Sequence, residues 1–227
     1  MSEVRIWAVE GVPEIGEGDD LAAMLVDAAP VPFEEDDVLV VTQKVVSKAE
    51  GRIAAESRRE EVLAEEATRV LRRLGGMVIA ETRHGFVCAN AGIDASNVDE
   101  GLIALLPVDP DASARRIRAR VAHLTGVDVG VVISDTFGRA WRAGQTDVAI
   151  GVAGLRPFID YRGTLDANGR ILTATQICVA DEIAGAAELV MGKAERVCAA
   201  LVRGAEVERG RASAHEIVRP SEQDLFR

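Results

Sequence analysis

Two aspartates in this sequence stand in short polar segments that follow apolar runs. Asp94 lies within residues 90–97, and Asp135 lies within residues 134–142 with Thr136 beside it. Carboxylate and hydroxyl oxygens are the ligands that Mg²⁺ and Mn²⁺ prefer when these ions bridge phosphates. The alternative is that an aspartate beside Ser, Thr or Gly only forms a turn or caps a helix, and the pattern alone leaves both interpretations open.

Lys48 is a candidate phosphate ligand, because its ammonium group is a compact positive charge on a long stem. Thr42 and Gln43 precede it in the chain and add hydrogen-bonding groups. The alternative is an ordinary solvated surface lysine, which is the commoner situation for this residue type.

Arg139 and Arg142 flank Trp141. The two arginines could hold an anionic substrate while the indole ring stacks on a flat one, or the tryptophan could be a core residue between surface arginines. Asp181 and Glu182 begin a predicted helix, where acidic residues complement the helix dipole. We favour this structural role for the pair over metal binding.

The usual nucleotide-binding motifs are missing from the sequence. Lys193 is followed by Ala194, Ala187 stands where a P-loop requires its first glycine, and no G-x-G-x-x-G follows a strand. The histidines and cysteines lack the spacing of a zinc site, and no catalytic triad or disulfide framework is indicated. Any nucleotide site would therefore use loop backbone, a lysine and cations held by carboxylates.

The composition is that of a globular protein with an excess of acidic residues. Of the 227 residues, 48% are hydrophobic and 28% are charged, and the formal net charge is −11. This charge disfavours nucleic acid and anionic membrane surfaces as partners. No apolar stretch approaches the roughly 20 residues of a membrane helix, and no signal peptide is indicated, so we expect a cytoplasmic protein with reduced cysteines.

Apolar periodicity and turn residues predict the elements that position these side chains. We expect helices over residues 20–29, 58–74, 110–126 and 180–191. We expect strands over residues 4–9, 38–41, 77–81, 86–89, 127–133, 148–152, 171–175 and 197–202. Because buried strands 38–41 and 127–133 each run into a polar segment, the chemistry is expected where their ends meet.

This order of elements lacks a strict βαβ rhythm. The predicted class is therefore α/β of the mixed α+β type, with mixed sheets, and neither a Rossmann nor a P-loop fold. The length fits a single domain over residues 1–227, either undivided or formed by two interlocked lobes.

Five segments resemble the coenzyme F-420-0:γ-glutamyl ligase family. They lie in residues 10–21, 40–52, 90–97, 134–142 and 179–184 and contain the sequences EGVP and GDDL, VVTQKVVSKAEGR, NAGIDASN, SDTFGRAWR and VADEIA. The similarity keeps one order from about Val4 to Phe226. Some relatives have an added nitroreductase-like domain, and because the given sequence ends at Arg227 we expect the stand-alone form or an isolated domain.

The resemblance implies a two-lobed subunit in an intertwined homodimer that uses GTP and two Mg²⁺ or Mn²⁺ ions, with K⁺ as a further candidate. It implies that the γ-phosphoryl group of GTP passes to the lactyl carboxylate of the deazaflavin coenzyme F-420-0. The amine of L-glutamate then attacks the acyl phosphate, without a protein nucleophile. Two features depart from the family pattern: residues 191–194 are not glycine-rich, and Phe137 replaces a smaller or polar residue.

Carried over to this sequence, the family's site residues fall into two groups. The implied metal ligands are Asp94, Asp135 and Thr136, and Asp94, Asp135 and Lys48 are the implied catalytic residues. The implied GTP contacts are Val12, Pro13, Glu14, Ile15, Thr42, Gln43, Lys48 and Asn97. Two alternatives stay open: a related metal-dependent amide ligase acting on another carboxylate, and a non-catalytic deazaflavin- or nucleotide-binding protein.

Overall fold

The computed structural model describes residues 3–224. Met1, Ser2 and residues 225–227, including Phe226 at the end of the family resemblance, lie outside the described residues. The predicted class is confirmed, because helices and strands alternate irregularly and form several separate sheets. Within residues 3–224, no helix is long and apolar enough to cross a bilayer.

Helices and strands of varied length make up most of the described chain. In chain order they are β1 (Arg5–Ala8), α1 (Leu21–Asp27), β2 (Val38–Thr42), α2 (Gln43–Ala49), β3 (Ile53–Ala55), α3 (Arg59–Glu66), β4 (Ala67–Leu74), β5 (Met77–Thr82), β6 (Val87–Ala89), β7 (Leu102–Ala104), α4 (Pro110–Thr125), β8 (Gly130–Arg139), β9 (Arg142–Ala153), β10 (Ile159–Asp160), β11 (Gln176–Ile177), α5 (Val179–Met191) and β12 (Ala199–Arg203).

A five-stranded sheet in the order β1-β12-β2-β8-β9 forms the centre of the molecule. β2 and β8 are parallel neighbours, whereas the other pairs in this sheet are antiparallel. The apolar run of β2 is fully buried, as expected for a strand that is covered on both faces. The parallel register places Thr42 beside Ser134, so the ends of β2 and β8 meet.

Helix α4 packs against β9 at short range. Asp109 caps the helix through the N–H of Ala112, Pro110 is its first residue, and Gly126 ends it with a φ of 77°, and each of these residue types favours its position. A Cβ atom on Gly151 would lie 2.6 Å from the main chain of Pro110. Glycine at this position of β9 therefore permits the close approach of the helix.

A second, smaller cluster of apolar side chains lies apart from the central core. It includes Val62 and Leu63 of α3, Val78 and Ala80 of β5, and Ile103 of β7. The sheet β4-β5-β6 and the pair β3-β7 belong to this region. Two interlocked lobes remain a prediction, because two clusters alone do not define lobes.

The prediction of one helix over residues 58–74 is wrong in its second half. Helix α3 ends at Glu66, and Ala67–Leu74 is a strand that pairs with β5. Gly75 has a φ of 58°, and the two glycines 75 and 76 connect Leu74 to Met77. A two-residue glycine turn strongly favours a β-hairpin, and this long-range pairing outweighs the helical spacing of Val70, Leu71 and Leu74.

The predicted strand over residues 171–175 is also wrong. Ile171 makes only an isolated bridge with Leu165, and short strand β11 begins at Gln176. Leu165 and Ile171 are largely exposed, so their apolar pattern does not correspond to a buried sheet face. Directly before this segment, the N–H groups of Asn168 and Arg170 bond to the Asp166 side chain, which favours a turn.

Candidate active site in a polar cleft

A polar cleft of about 390 Å³ lies where the ends of β2 and β8 meet. The expected polar loop after β2 is instead the beginning of α2, which starts at Gln43. The expected loop after residue 133 is instead a continuation of β8, which forms a long hairpin with β9. The predicted meeting of strand ends is confirmed, although a helix and a hairpin carry the side chains.

Most of the residues predicted to contact GTP or metal line this cleft. The lining residues from the predicted set are Val12, Pro13, Glu14, Ile15, Thr42, Gln43, Lys48, Asn97, Asp135 and Thr136. They come from four separate parts of the chain, so the fold brings together residues that are distant in sequence.

Lys44 connects the two predicted metal-binding aspartates. Its Nζ lies 2.7 Å from Oδ2 of Asp94, and its charge also acts on Asp135. Burial raises the pKa of Asp135, Lys44 and the Thr136 N–H oppose this effect, and the charges of Asp147 and Asp94 add to it, so that the pKa is about 7. Burial would also raise the pKa of Asp94, but hydrogen bonds from Lys44 and Ser96 leave it below its usual value.

A third carboxylate, Asp147 of β9, is almost completely buried behind Thr136. Its Oδ2 accepts a hydrogen bond from the Ser134 hydroxyl at 3.0 Å, and its Oδ1 accepts one from the Thr136 hydroxyl at 2.6 Å. Lys193 Nζ lies 3.0 Å from Oδ1 of Asp147 and also donates to Thr136 Oγ1. Two hydroxyls and one ammonium group therefore balance this buried charge.

The opposite side of the cleft contains a second charge pair and an incompletely bonded amide. Lys48 pairs with Glu14. Gln43 is 1% exposed, its Oε1 accepts from the Ser47 hydroxyl at 3.0 Å, and its Nε2 has no hydrogen-bond partner among residues 3–224. A buried N–H group without a partner is costly, so the amide of Gln43 is suited to a bound ligand.

The residues at the cleft fit Mg²⁺ or Mn²⁺ by the chemistry of their donors. Asp135, Asp147 and Thr136 line the cleft, whereas Asp94 is outside its lining and contacts the lining residue Lys44. These four side chains present carboxylate and hydroxyl oxygens, and ammonium groups already contact three of them. Among residues 3–224, no three acidic, histidine or cysteine side chains are grouped closely enough to hold an ion by themselves. Mg²⁺ is commonly held by one or two carboxylates together with substrate phosphates, so phosphate would complete such a site.

The arginine and tryptophan residues predicted to bind substrate lie outside the cleft lining. Arg139 and Arg142 are paired at the end of the β8–β9 hairpin, and Arg139 donates to the Ala143 carbonyl at 3.3 Å. Trp141, in the turn between them, is 77% exposed, so it is not a core residue. Their contact with substrate remains a prediction.

The acidic pair at the start of α5 and the three cysteines have structural roles. Asp181 and Glu182 lie in the first turn of α5, as predicted, and Asp181 also accepts from the Ala149 N–H at 2.9 Å. Burial raises the pKa of the Cys88 and Cys178 thiols to about 12 and that of Cys198 to about 11. High thiol pKa values disfavour reactive thiolates, which agrees with the interpretation of these cysteines as structural.

Sequence reasoning did not assign Lys44, Asp147 or Lys193 to the site. Of these three residues, only Asp147 could have been assigned from the sequence, because a charged residue directly before a buried strand needs a partner. Lys193 was considered only as part of a failed P-loop motif, although its ammonium group lies at the Asp147 carboxylate.

The central mixed sheet and its cleft of carboxylates and lysines define a class of α/β proteins suited to phosphate and metal chemistry without a P-loop. The family model for F420-0:Gamma-glutamyl ligase matches residues 11–61 and 53–204 of the chain. The chain therefore belongs to the F420-0:gamma-glutamyl ligase family, as the sequence resemblance predicts.

Curated relatives match along nearly the whole chain, and each of them is named coenzyme F420:L-glutamate ligase. The relative from Methanothermobacter thermautotrophicus is 41% identical, with 99% of both chains covered. The one from Archaeoglobus fulgidus is 43% identical, with 99% of this chain and 96% of the relative covered. The one from Methanopyrus kandleri is 42% identical over 96% of this chain and 97% of the relative.

Proposed function

We propose that this protein is a GTP-dependent carboxylate–amine ligase that adds L-glutamate to coenzyme F-420-0 in the biosynthesis of coenzyme F-420. The observation that carries the proposal is the match over 99% of both chains to a relative named coenzyme F420:L-glutamate ligase. The grouping of carboxylates, lysines and a buried unpaired amide in one cleft supports it.

The proposed reaction has two steps. First, an oxygen of the substrate carboxylate attacks the γ-phosphorus of GTP, the bond to the β-phosphate oxygen breaks, and GDP leaves. Second, the amine of L-glutamate attacks the acyl phosphate, the acyl–oxygen bond breaks, and the products are an amide, phosphate and a proton. The first step converts a carboxylate oxygen, which is a poor leaving group, into phosphate, which is a good one.

The residues of the cleft contribute by binding and positioning. Lys48 exchanges its contact with Glu14 for a phosphate oxygen of the nucleotide, and the Gln43 amide donates to the same ligand. Lys44 and Lys193 hold the carboxylates of Asp94 and Asp147 in fixed orientations. Bound Mg²⁺ or Mn²⁺, held by Asp94, Asp135 and Thr136, would neutralise phosphate charge during both steps.

The proposed scheme does not require a protein nucleophile. The three cysteines have raised thiol pKa values, and no other nucleophile is needed once the carboxylate is phosphorylated. We further propose a cytoplasmic homodimer as the working form.

Mass spectrometry of the reaction products tests the proposal directly. Purified protein is incubated with coenzyme F-420-0, L-glutamate, GTP and Mg²⁺ or Mn²⁺, and each component is omitted in turn. We expect a glutamyl mass increment that requires all components, and tandem fragmentation should show a γ-linkage. No increment under any of these conditions would reject the ligase.

An isotope experiment tests the acyl phosphate separately. When the substrate carboxylate carries ¹⁸O, the released inorganic phosphate should contain one ¹⁸O atom for each amide formed. Product formation without ¹⁸O in phosphate would exclude this intermediate and leave the overall ligation intact.

A further inference from the structure

A second cavity, of about 320 Å³, is lined by residues of the same two strands, β8 and β9, that contribute to the polar cleft. Its walls are mainly the apolar side chains of Phe86, Phe137, Val148, Ile217 and Val218, and we call it the apolar cavity. Its volume is at the lower end of the range for small-molecule sites, enough for one ring system. The phosphate chemistry proposed for the cleft does not involve these apolar side chains.

The strand geometry places the apolar cavity beside Asp135. Side chains two residues apart on a strand share one face and lie roughly 7 Å apart, so Phe137 follows Asp135 on the same face of β8. Val148 is the direct cross-strand partner of Asp135. A molecule whose reacting carboxylate lies at Asp135 therefore has the apolar cavity next to it.

The aromatic side chains of the cavity favour a flat ligand. The rings of Phe86 and Phe137 meet edge to face, with centroids 6.1 Å apart and an interplanar angle of 69°. His84 stacks on the other side of Phe86 at 5.9 Å. A fused ring that enters the cavity can extend this series through stacked or edge-to-face contacts.

Three charged side chains line the cavity, namely Asp181, Arg219 and Asp224. Arg219 lines the cavity and forms no ion pair with any residue in the range 3–224, so it is available to an anionic group. Asp181 accepts from the Ala149 N–H, and a carboxylate has further lone pairs for a ring N–H. The cavity therefore combines an apolar wall with one cationic group and two carboxylates.

We infer that the apolar cavity receives the fused aromatic ring of the deazaflavin substrate, with Phe137 as its contact wall and Arg219 beside its phosphate. The inference rests on the proposed function, because this ligand is the carboxylate substrate of that ligase. The guanine base of GTP is the competing occupant. The predicted GTP contacts Thr42 and Gln43 lie on the β2 side of β8, whereas the cavity lies on its β9 side, which favours the deazaflavin.

Binding measurements on three variants test the inference. Phe137→Ala removes the aromatic wall, and Val148→Phe fills the cavity without removing a contact. Tyr161→Ala is the control, because Tyr161 is an exposed aromatic residue outside both cavities. Equilibrium dialysis with mass-spectrometric detection gives the Kd for coenzyme F-420-0 and, separately, for GTP; circular dichroism and thermal melting check the fold.

We expect Phe137→Ala and Val148→Phe each to raise the Kd for coenzyme F-420-0 by about tenfold or more, with the Kd for GTP unchanged. Tyr161→Ala should alter neither value. Arg219→Gln should weaken F-420-0 binding in the same selective manner, and Arg219→Lys should restore part of it.

Two results would overturn the inference while leaving the ligase intact. The first is native-like F-420-0 binding in both folded cavity variants, and the second is a selective loss of GTP binding. If Phe137→Ala or Val148→Phe does not fold, coenzyme F-420-0 binding by the other variant tests the inference. By contrast, native protein that neither binds F-420-0 nor forms product rejects the proposed function together with the inference.

Discussion

The polar cleft and the apolar cavity are built on the same two strands and have opposite physical characters. In the cleft, β8 and β9 supply Ser134, Thr136 and Asp147 in one hydrogen-bonded group. In the cavity, the same strands supply Phe137 and Val148. Because strand side chains alternate between faces, one hairpin can serve charge stabilisation and apolar binding within a few residues.

The two regions also differ in their effect on stability. Burial of Asp147, and partial burial of Asp135 with its pKa raised to about 7, disfavours folding unless partners balance the charge. The walls of the apolar cavity are mainly apolar, so burying them involves little of this cost of burying charge. Substitutions in the cleft should therefore change turnover and stability in opposite or unrelated ways, whereas substitutions in the cavity should mainly change substrate affinity.

The largest effect is expected for Asp135→Asn, which keeps the size of the side chain and removes its charge. We expect kcat to fall by at least about 100-fold, because a preorganised charge at the reacting phosphate is lost. The thermal midpoint should not fall, since a neutral amide is easier to bury than a carboxylate. Asp27→Asn, at the exposed end of α1, is the control; activity within a factor of two of native in both variants would remove Asp135 from the site.

The second prediction compares Asp147 with its neighbour Val148 on β9. Asp147→Ala leaves the Ser134 and Thr136 hydroxyls and Lys193 without their acceptor, and we expect a loss of about 1–3 kcal/mol in the free energy of unfolding. Val148→Ala, on the cavity side, should cost about 1 kcal/mol or less. Urea denaturation of both variants measures the difference, and an equal loss would mean that the Asp147 network adds nothing to stability.

The sequence alone predicted much of the cleft and less of the small sheet. Thr42 and Asp135 line one cleft because the apolar runs before them are strands whose ends meet, as the sequence predicts. Residues 67–74 were misassigned because their apolar residues also fit a helix, and only the pairing with β5 through Gly75 and Gly76 decides between the two. Local periodicity cannot supply this information, since the competing contact is made by another part of the chain.

Ion pairs between residues that are distant in the chain were the other feature that the sequence did not predict. Lys193 and Asp147 are 46 residues apart and meet only because α5 packs against β9 and ends beside the cleft. No local pattern marks Lys193 as a partner of a buried carboxylate. The predicted nucleotide contacts, by comparison, were named from the family resemblance, and the fold places them in one cleft.

A moderate effect is expected for Lys193→Met, which removes the ammonium group from Asp147 and Thr136. Without added metal, the variant should melt below the native protein because the buried carboxylate loses a counter-charge. Added Mn²⁺ should raise its melting temperature more than that of the native protein, because no lysine competes for the same oxygens. Arg211→Met, on the exposed surface away from the cleft, is the control, and an equal shift in all three proteins would show that Lys193 does not compete with the metal.

The smallest effect on stability is expected for Gln43→Leu, which tests whether the unpaired amide is reserved for a ligand. In the free protein, Gln43 Nε2 has no partner among the described residues, while the Ser47 hydroxyl keeps its 2.6 Å bond to the Leu105 carbonyl without Gln43. Replacing a buried polar group that lacks a partner by an apolar one of similar size is close to neutral, so the free energy of unfolding should change by less than about 0.5 kcal/mol. If the amide binds the nucleotide, the Kd for GTP should still rise severalfold, whereas the Kd for coenzyme F-420-0 should stay constant because its ring lies on the β9 side of β8. A large loss of stability with unchanged GTP binding would show that the amide stabilises the fold. Gln43 would then no longer support the assignment of GTP to the polar cleft.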